Sequence, residues 1–255
     1  MPIPLRRACR SPAEGGATDA VFLNDGNYHG AIRIFYTRCP LILASASPRR
    51  IAFLAELGLS ATVRIPPPHT EPPPLRGEAP STYALRAALA KASGVVAPSG
   101  GAACATGPLE EPALVIAADT IVALRGRILG KPRSPEHALD MLRSLAGKTH
   151  TVTTACALLK EGERRLFTVH SRVRMWACPD DLLRAYACCG EAADKAGAYA
   201  VQGMGAALVR SIAGSWSNVV GLPLAELVQA LLAMDAIGIA DAGTSHPLRG
   251  TSFFS

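Results

Sequence analysis

Nowhere does the chain carry an apolar run of the roughly 18–20 residues needed to cross a bilayer, so no membrane span and no membrane partner are expected. Aromatic residues make up only 5% of the sequence. No dense Lys/Arg run with interleaved aromatics occurs either, which argues against a nucleic-acid groove or a base-stacking platform. The cysteines are few and unpaired in pattern. There are seven, an odd number, and none are spaced as CxxC, which argues against a disulfide framework and a zinc site. No secretory h-region follows the first methionine. Reduced thiols in a cytoplasmic protein are therefore expected, with Cys188-Cys189 read as helix-packing residues and not a redox pair. GxxxxGK[ST], GxSxG and HExxH are all missing, which excludes a P-loop, a nucleophile elbow and a zincin site.

What is present suits an anionic ligand. The 255 residues are 49% hydrophobic, enough for a sizeable core, and the formal charge is +6 with a pI near 9.1. The most informative stretch is Leu41-Ile42-Leu43-Ala44-Ser45-Ala46-Ser47-Pro48-Arg49-Arg50. An apolar strand stops at small hydroxyl residues, and a helix over 51–57 follows. Ser47 is suited to cap that helix and Pro48 to its first position. Free N–H groups and the helix dipole favour a phosphate there. Arg49 and Arg50 add fork-shaped donors that match phosphate oxygens.

Residues 1–39 mix Arg, Gly, Pro and Asp with little periodicity and read as a poorly ordered extension. The domain is expected over 40–239, with 240–255 as a weakly patterned tail. Pro66–Pro80 reads as a loop, and the spacing of Tyr83, Leu85, Ala88, Leu89 and Ala92 predicts a helix. Ser93–Pro112, rich in Gly, Ala and Pro, reads as a surface insertion. Leu114–Ala118 is a buried strand that continues through Ile121–Leu124, and Arg125-Gly126 turns it into Arg127–Leu129. Ser134-Pro135 opens a helix to Leu145, with Gly147 as its stop. Two long strands, Thr149–Leu159 and Leu166–Trp176, are joined at Glu161-Gly162. Asp180 is expected to cap a further helix, and Pro223–Met234 forms an apolar one. Alternating strands and helices with at least one hairpin imply an α/β fold with a mixed, twisted sheet.

Asp119 ends the buried part of a hydrophobic strand, where a carboxylate needs a partner or a task. Lys131, between Gly130 and Pro132, has a defined direction. Lys91 follows Arg86 on the expected helix, a spacing that by itself suits a solvated face. Glu71 lies in the proline-rich loop and could supply a metal ligand. Gln202, among small residues, has the donor and acceptor needed to read a base edge. Asn218 reads as a turn residue that orders the backbone. Together these supply cations for phosphates, two acids for a metal or base, and a small-residue pocket with one amide.

The order of these motifs resembles the Maf family of nucleoside triphosphate pyrophosphatases. The matching pieces are Ser45 to Arg50, Tyr83 with Arg86 and Lys91, Ala118 to Val122, Gly130-Lys131-Pro132, Leu145 to His150, Asp194 to Gly203, and Gly214 to Leu224. They run through roughly residues 41–235. The resemblance implies an α/β fold of the Maf and inosine triphosphate pyrophosphatase type, with a mixed twisted sheet, flanking helices and two lobes around a cleft. It implies cleavage between the α- and β-phosphates, with a divalent cation, Mg²⁺ or Mn²⁺, as cofactor. By motif position Asp119 matches the proton acceptor. Ser45, Arg50, Lys91 and Lys131 match residues that hold the triphosphate, and Glu71 matches the acid that joins Asp119 at the metal.

Arg49, Thr120 and Gln202 together look like the branch that acts on dTTP and UTP, and on some modified pyrimidine nucleotides. The family has a second acid just before the position of Glu71, where this chain has Pro68-His69-Thr70. Two further readings stand beside this one. One is a pyrophosphatase for 7-methyl-GTP or inosine triphosphate. The other is a nucleotide-binding regulator of septum formation with low turnover. The expected partner is a nucleoside triphosphate substrate, and the reading is compatible with a homodimer.

Overall fold

The computed structural model describes residues 34–96 and 112–240. Most of the expected N-terminal extension, the centre of the Ser93–Pro112 insertion and the tail lie outside the described residues.

A mixed sheet of seven strands forms the frame. Its strands in chain order are β2 (Leu41–Leu43), β3 (Thr62–Val63), β4 (Leu114–Leu124), β5 (Arg127–Leu129), β6 (Thr149–Lys160), β7 (Glu163–Met175) and β8 (Val209–Ala213). The spatial order is β3-β2-β4-β6-β7-β8, and β5 pairs with the far end of β4. β2 runs parallel to β3 and β4, whereas the remaining pairs are antiparallel. A separate pair joins β1 (Phe35–Thr37) to β9 (Ile237–Ile239). Residues 35–37 fall within the expected extension, yet they form a strand. Three residues are too short to show a period of two, and only pairing with a strand two hundred positions away makes them one.

Alternation along the strands divides the core. Leu41 and Leu43 of β2 and Leu114, Ile116 and Ala118 of β4 share one cluster with Phe53 and Leu54 of α1 (Pro48–Glu56). Leu227 and Leu231 of α6 (Leu224–Ala233) complete it. Ile42, Val115 and Ala117 point the other way, onto α2 (Pro80–Val96). The α2 face is Ala84, Ala88 and Ala92 against Ala117, Ala155 and Ala157, so small residues on both sides let helix and sheet approach closely.

The far halves of β4 and β6 serve a second lobe. There Val122, Val152, Val173 and Met175 pack on Leu139, Leu142 and Leu145 of α3 (Pro135–Leu145), and on Leu183 and Tyr186 of α4 (Asp180–Cys188). The expected start and stop of α3 agree with the structure, and the Ser134 hydroxyl accepts from the His137 N–H as its cap. Two expectations for α4 fail. Its N-cap is Pro179, and Asp180 is instead the first helical residue. The Asp180 carboxylate takes bonds from Arg143 Nε and Nη2 at 2.6 and 2.8 Å, and from Arg184 at 2.7 Å. Cys188 and Cys189 are exposed and do not pack, because the helix ends there, just beyond its buried residues Leu183, Tyr186 and Ala187.

Asn218, on the short helix α5 (Trp216–Val220), is fully buried. Its role is wider than a turn. Its Oδ1 accepts from the Thr154 N–H at 3.1 Å, and its Nδ2 donates to the Val152 carbonyl at 3.2 Å and the Ser171 hydroxyl at 2.9 Å. One amide thus ties α5 to β6 and β7. Asn218→Ala removes these bonds, leaving the Ser171 hydroxyl its bond to the Ser215 carbonyl, and should cost about 2–4 kcal/mol, read as a lower urea midpoint with an unchanged m-value.

Candidate active site

The edge of β4 has a gap. β2 pairs with it only from Leu114 to Ile116, and β5 only from Val122 to Leu124. Between them Ala117–Ile121 lie uncovered by a strand, and here opens a cavity of about 1000 Å³. The crevice lies beyond the carboxyl end of β2, where neighbouring connections diverge, a recurrent ligand position in open α/β sheets.

All nine residues singled out from the sequence line this cavity: Ser45, Arg49, Arg50, Glu71, Lys91, Asp119, Thr120, Lys131 and Gln202. Asp119 and Thr120 are neighbours in a strand, so their side chains leave on opposite faces. Asp119 shares the face of Val115 and Ala117 and meets α2. The Lys91 ammonium from that helix lies 2.7 Å from Asp119 Oδ1 and 2.8 Å from Glu71 Oε1. Glu71 reaches this point because the proline-rich loop folds back on α2. Thr70 closes a turn by donating to the Pro67 carbonyl at 2.6 Å, and its methyl packs where a side chain at Gly94 would be. Arg86 holds the same loop through a two-nitrogen contact with Glu78 and a bond to the Pro73 carbonyl. The Arg86 guanidinium lowers the Glu78 carboxyl below its ordinary range. Arg86 is therefore a structural cation, and only Lys91 of the pair enters the cavity.

Thr120, on the other face, meets Arg50. The buried Arg50 donates from Nε to the Gly221 carbonyl at 2.8 Å, from Nη1 to Ser45 Oγ at 3.1 Å and from Nη2 to Thr120 Oγ1 at 3.1 Å. Burial pulls its pKa down while Asp119 opposes the shift. Three of its five N–H donors are thus spent on the protein, leaving two. Thr120 in turn lies 2.9 Å from Thr154 Oγ1, which donates to the Asn218 carbonyl at 2.8 Å. Arg49 is half-buried and donates to the Val220 carbonyl at 3.3 Å. The expected Ser47 side-chain cap does not form. Instead the Ser47 N–H donates to Ser45 Oγ at 3.2 Å, and no acid stands in the first turn of α1. The N-terminus of α1 thus retains its positive character toward the cavity.

Lys131 is exposed on the far side of the gap, just after β5. Gln202 is exposed on the loop that leads into a 3₁₀ turn over Gly203–Leu208. Lys195 also lines the cavity, paired with Asp194, and so does Tyr83. Sequence reasoning gave neither a role. The signal for Tyr83 was its position two i+4 steps before Lys91 on one helix face. Among the described residues no group of three or more His, Cys, Asp and Glu could hold a metal. The acid pair Glu71 and Asp119 converges on one ammonium at the cavity. Mg²⁺ characteristically takes one or two carboxylates, substrate phosphates and water, so this pair fits such an ion.

The site and the sheet define an α/β protein with a cation-lined cleft between two lobes, organised to take a polyanion beside a carboxylate pair. The chain belongs to the Maf-like protein family, whose model matches residues 40–234. It is 53% identical over 199 residues to the dTTP/UTP pyrophosphatase of Nitratidesulfovibrio vulgaris, covering 78% of this chain and 89% of that one. It is 48% identical over 200 residues to the dTTP/UTP pyrophosphatase of Oleidesulfovibrio alaskensis, covering 77% and 86%. Over 191 residues it is 45% identical to the dTTP/UTP pyrophosphatase of Myxococcus xanthus, covering 75% and 90%. No helix among the described residues is long and apolar enough to cross a membrane.

Tyr199, a further lining residue, binds His150 in the second lobe through a 2.6 Å contact between its hydroxyl and Nε2. His150 is 2% exposed, its Nδ1 has no hydrogen-bond partner among the described residues, and burial pushes its pKa down from 6.5 to about 4. The unfolded chain binds the proton more readily, so this contribution is complete above pH 6.5 and is lost as the pH falls toward about 4. The loss should reach about 3 kcal/mol. Urea midpoints measured from pH 7 to 4 should fall more steeply for the native protein than for His150→Gln.

Proposed function

We propose that this chain is a nucleoside triphosphate pyrophosphatase that converts dTTP and UTP, and modified pyrimidine nucleotides of the same shape, to the monophosphate and pyrophosphate. The observation that carries this reading is the convergence on one cleft of Arg49, Arg50, Lys91 and Lys131 with the carboxylates of Glu71 and Asp119. The names of the relatives point the same way. The catalytic domain is read as residues 40–239, and the cytoplasm as its compartment.

In this reading Ser45, Arg49, Arg50, Lys91 and Lys131 hold the triphosphate and spread its charge, and phosphoryl chemistry depends chiefly on such positioning. Asp119 takes a proton from a water directed at the α-phosphorus. The new bond joins that oxygen to the α-phosphorus, the bond from the α-phosphorus to the α–β bridging oxygen breaks, and pyrophosphate leaves with the electron pair. Glu71 and Asp119 are the residues that would hold Mg²⁺ or Mn²⁺. The bound ion would supply charge neutralisation at the phosphate oxygens. Lys91 joins both acids before substrate enters and turns to phosphate oxygens when they arrive. Thr120 sets Arg50, and Gln202 reads the base edge. A nucleotide-binding regulator with low turnover would need the cations but not a carboxylate aimed at the same point, so the acid pair favours the enzyme.

Asp119→Asn should lower kcat by about 10²–10⁴-fold while leaving the melting temperature close to that of the native protein. Near-normal pyrophosphate release by that variant would remove Asp119 from its role. Stripping divalent ions with EDTA should abolish turnover of dTTP, and Mg²⁺ or Mn²⁺ should restore it. Persistence of full activity in EDTA would overturn the metal assignment. Across a panel of dTTP, UTP, CTP, 7-methyl-GTP, inosine triphosphate and ATP, the native protein should favour dTTP and UTP, and Gln202→Glu should weaken those two selectively.

A further inference from the structure

The loop that carries Gln202 is clamped by two side chains that the proposed reaction does not use. Tyr186, near the end of α4, accepts from the Ala200 N–H at 3.1 Å. Glu191, three residues beyond that helix, accepts from the Met204 N–H at 3.0 Å through Oε2 and from the Gly205 N–H at 3.2 Å through Oε1. The Tyr186 hydroxyl donates onward to Glu191 Oε1 at 3.4 Å. Two residues before Gln202 and two residues after it, the backbone is therefore tied to one joined pair of side chains.

Local geometry shows how tightly the loop is drawn in. A Cβ at Gly205 would stand 2.4 Å from the Ala200 carbonyl oxygen and 2.5 Å from the Tyr186 hydroxyl. A Cβ at Gly203 would stand 3.0 Å from Glu191 Oε1, at a φ of +66°. Only glycine satisfies both positions. Gln202 itself is extended and exposed, and its amide makes no hydrogen bond to another described residue. Among the described residues, no side-chain hydrogen bond fixes where that amide points, so its position follows the loop backbone. Glu191 is the stronger anchor, because an ionised carboxylate accepts charge-assisted bonds from both N–H groups. Tyr186 is 5% exposed, and burial raises its pKa, so its hydroxyl stays protonated and can donate to Glu191.

We infer that Glu191 and Tyr186 are positioning residues for base selection, which hold the Gln202 amide at one place along the cleft wall and thereby set which nucleobase the site accepts. This rests on the reading of Gln202 as the residue that meets the base. Neither side chain lines the cavity, so both would act through the loop and not by contact with substrate. The phosphate-holding residues lie on other elements, so loosening the loop should affect discrimination between bases far more than the chemical step.

The test is steady-state pyrophosphate release from dTTP, UTP, CTP and GTP by the native protein, Gln202→Ala, Glu191→Ala, Glu191→Gln, Tyr186→Phe and the Glu191→Ala/Gln202→Ala double variant. Each protein is checked for folding by thermal melting. Glu191→Ala should lose roughly tenfold of the preference for dTTP and UTP, through a raised KM, with kcat for dTTP changed less than about threefold. Tyr186→Phe, which keeps its ring in the core, should shift selectivity in the same direction by less. The double variant should be no less selective than Gln202→Ala alone, since both changes remove one function. If Gln202→Ala loses selectivity while the Glu191 and Tyr186 variants keep it, the inference fails and the base-reading role of Gln202 stands. If Gln202→Ala keeps selectivity, that role fails and the inference falls with it. An equal loss toward all four nucleotides would also overturn it, because a merely structural role lowers them together. Should Glu191→Ala melt below the assay temperature, Glu191→Gln and Tyr186→Phe decide by the same criteria.

Discussion

The Arg50 guanidinium is the contact on which the cleft depends. It is buried, and it bonds at once to the strand-to-helix turn at Ser45, to β4 at Thr120 and to the α5–α6 connection at Gly221. A buried cation with one partner would be costly, whereas a planar fork with three acceptors is satisfied in only one orientation. The bond from Thr154 to the Asn218 carbonyl and the Thr120–Thr154 contact extend this order into β6. The hydroxyls and carbonyls around Arg50 are thus set before any ligand arrives, which lowers the cost of organising the cleft around a polyanion.

On the opposite face of β4, Lys91 does related work for the acids. Two carboxylates facing one cavity repel each other unless a cation stands between them, and the Lys91 ammonium meets both. The gap in the strand edge explains why both arrangements face the same space. With β2 ending at Leu43 and β5 beginning at Arg127, the middle of β4 has its edge open to the cavity. Residues on both faces therefore reach it, one from the α2 side and the other from the α1 side.

Much of this was legible in the chain. The apolar run before Asp119, the Arg125-Gly126 turn and the Ser134-Pro135 helix start are local signals with local causes, and they agree with the structure. So does membership of the Maf-like family, carried by ordered motifs over most of the chain. What escaped had no local cause. Phe35–Thr37 becomes a strand only by pairing with Ile237–Ile239. Asp180 resembles a cap until Arg143, on a different helix, claims its carboxylate. Asn218 resembles a turn residue because nothing near it in sequence reveals that its amide bonds to β6 and β7.

The sequence by itself determined the class of fold and the strand that carries Asp119, because hydrophobic period and turn chemistry are properties of neighbouring residues, and the resemblance of its ordered motifs to the Maf family supplied the candidate cleft residues. Only the tertiary structure decided what each of them touches. It showed that Arg86 is a structural cation and Lys91 a partner of two acids. It showed that most of Arg50's donors serve the protein, and that Glu191 and Tyr186 hold the loop of Gln202. Those distinctions rest on distances between residues far apart in the chain, and no local pattern encodes them.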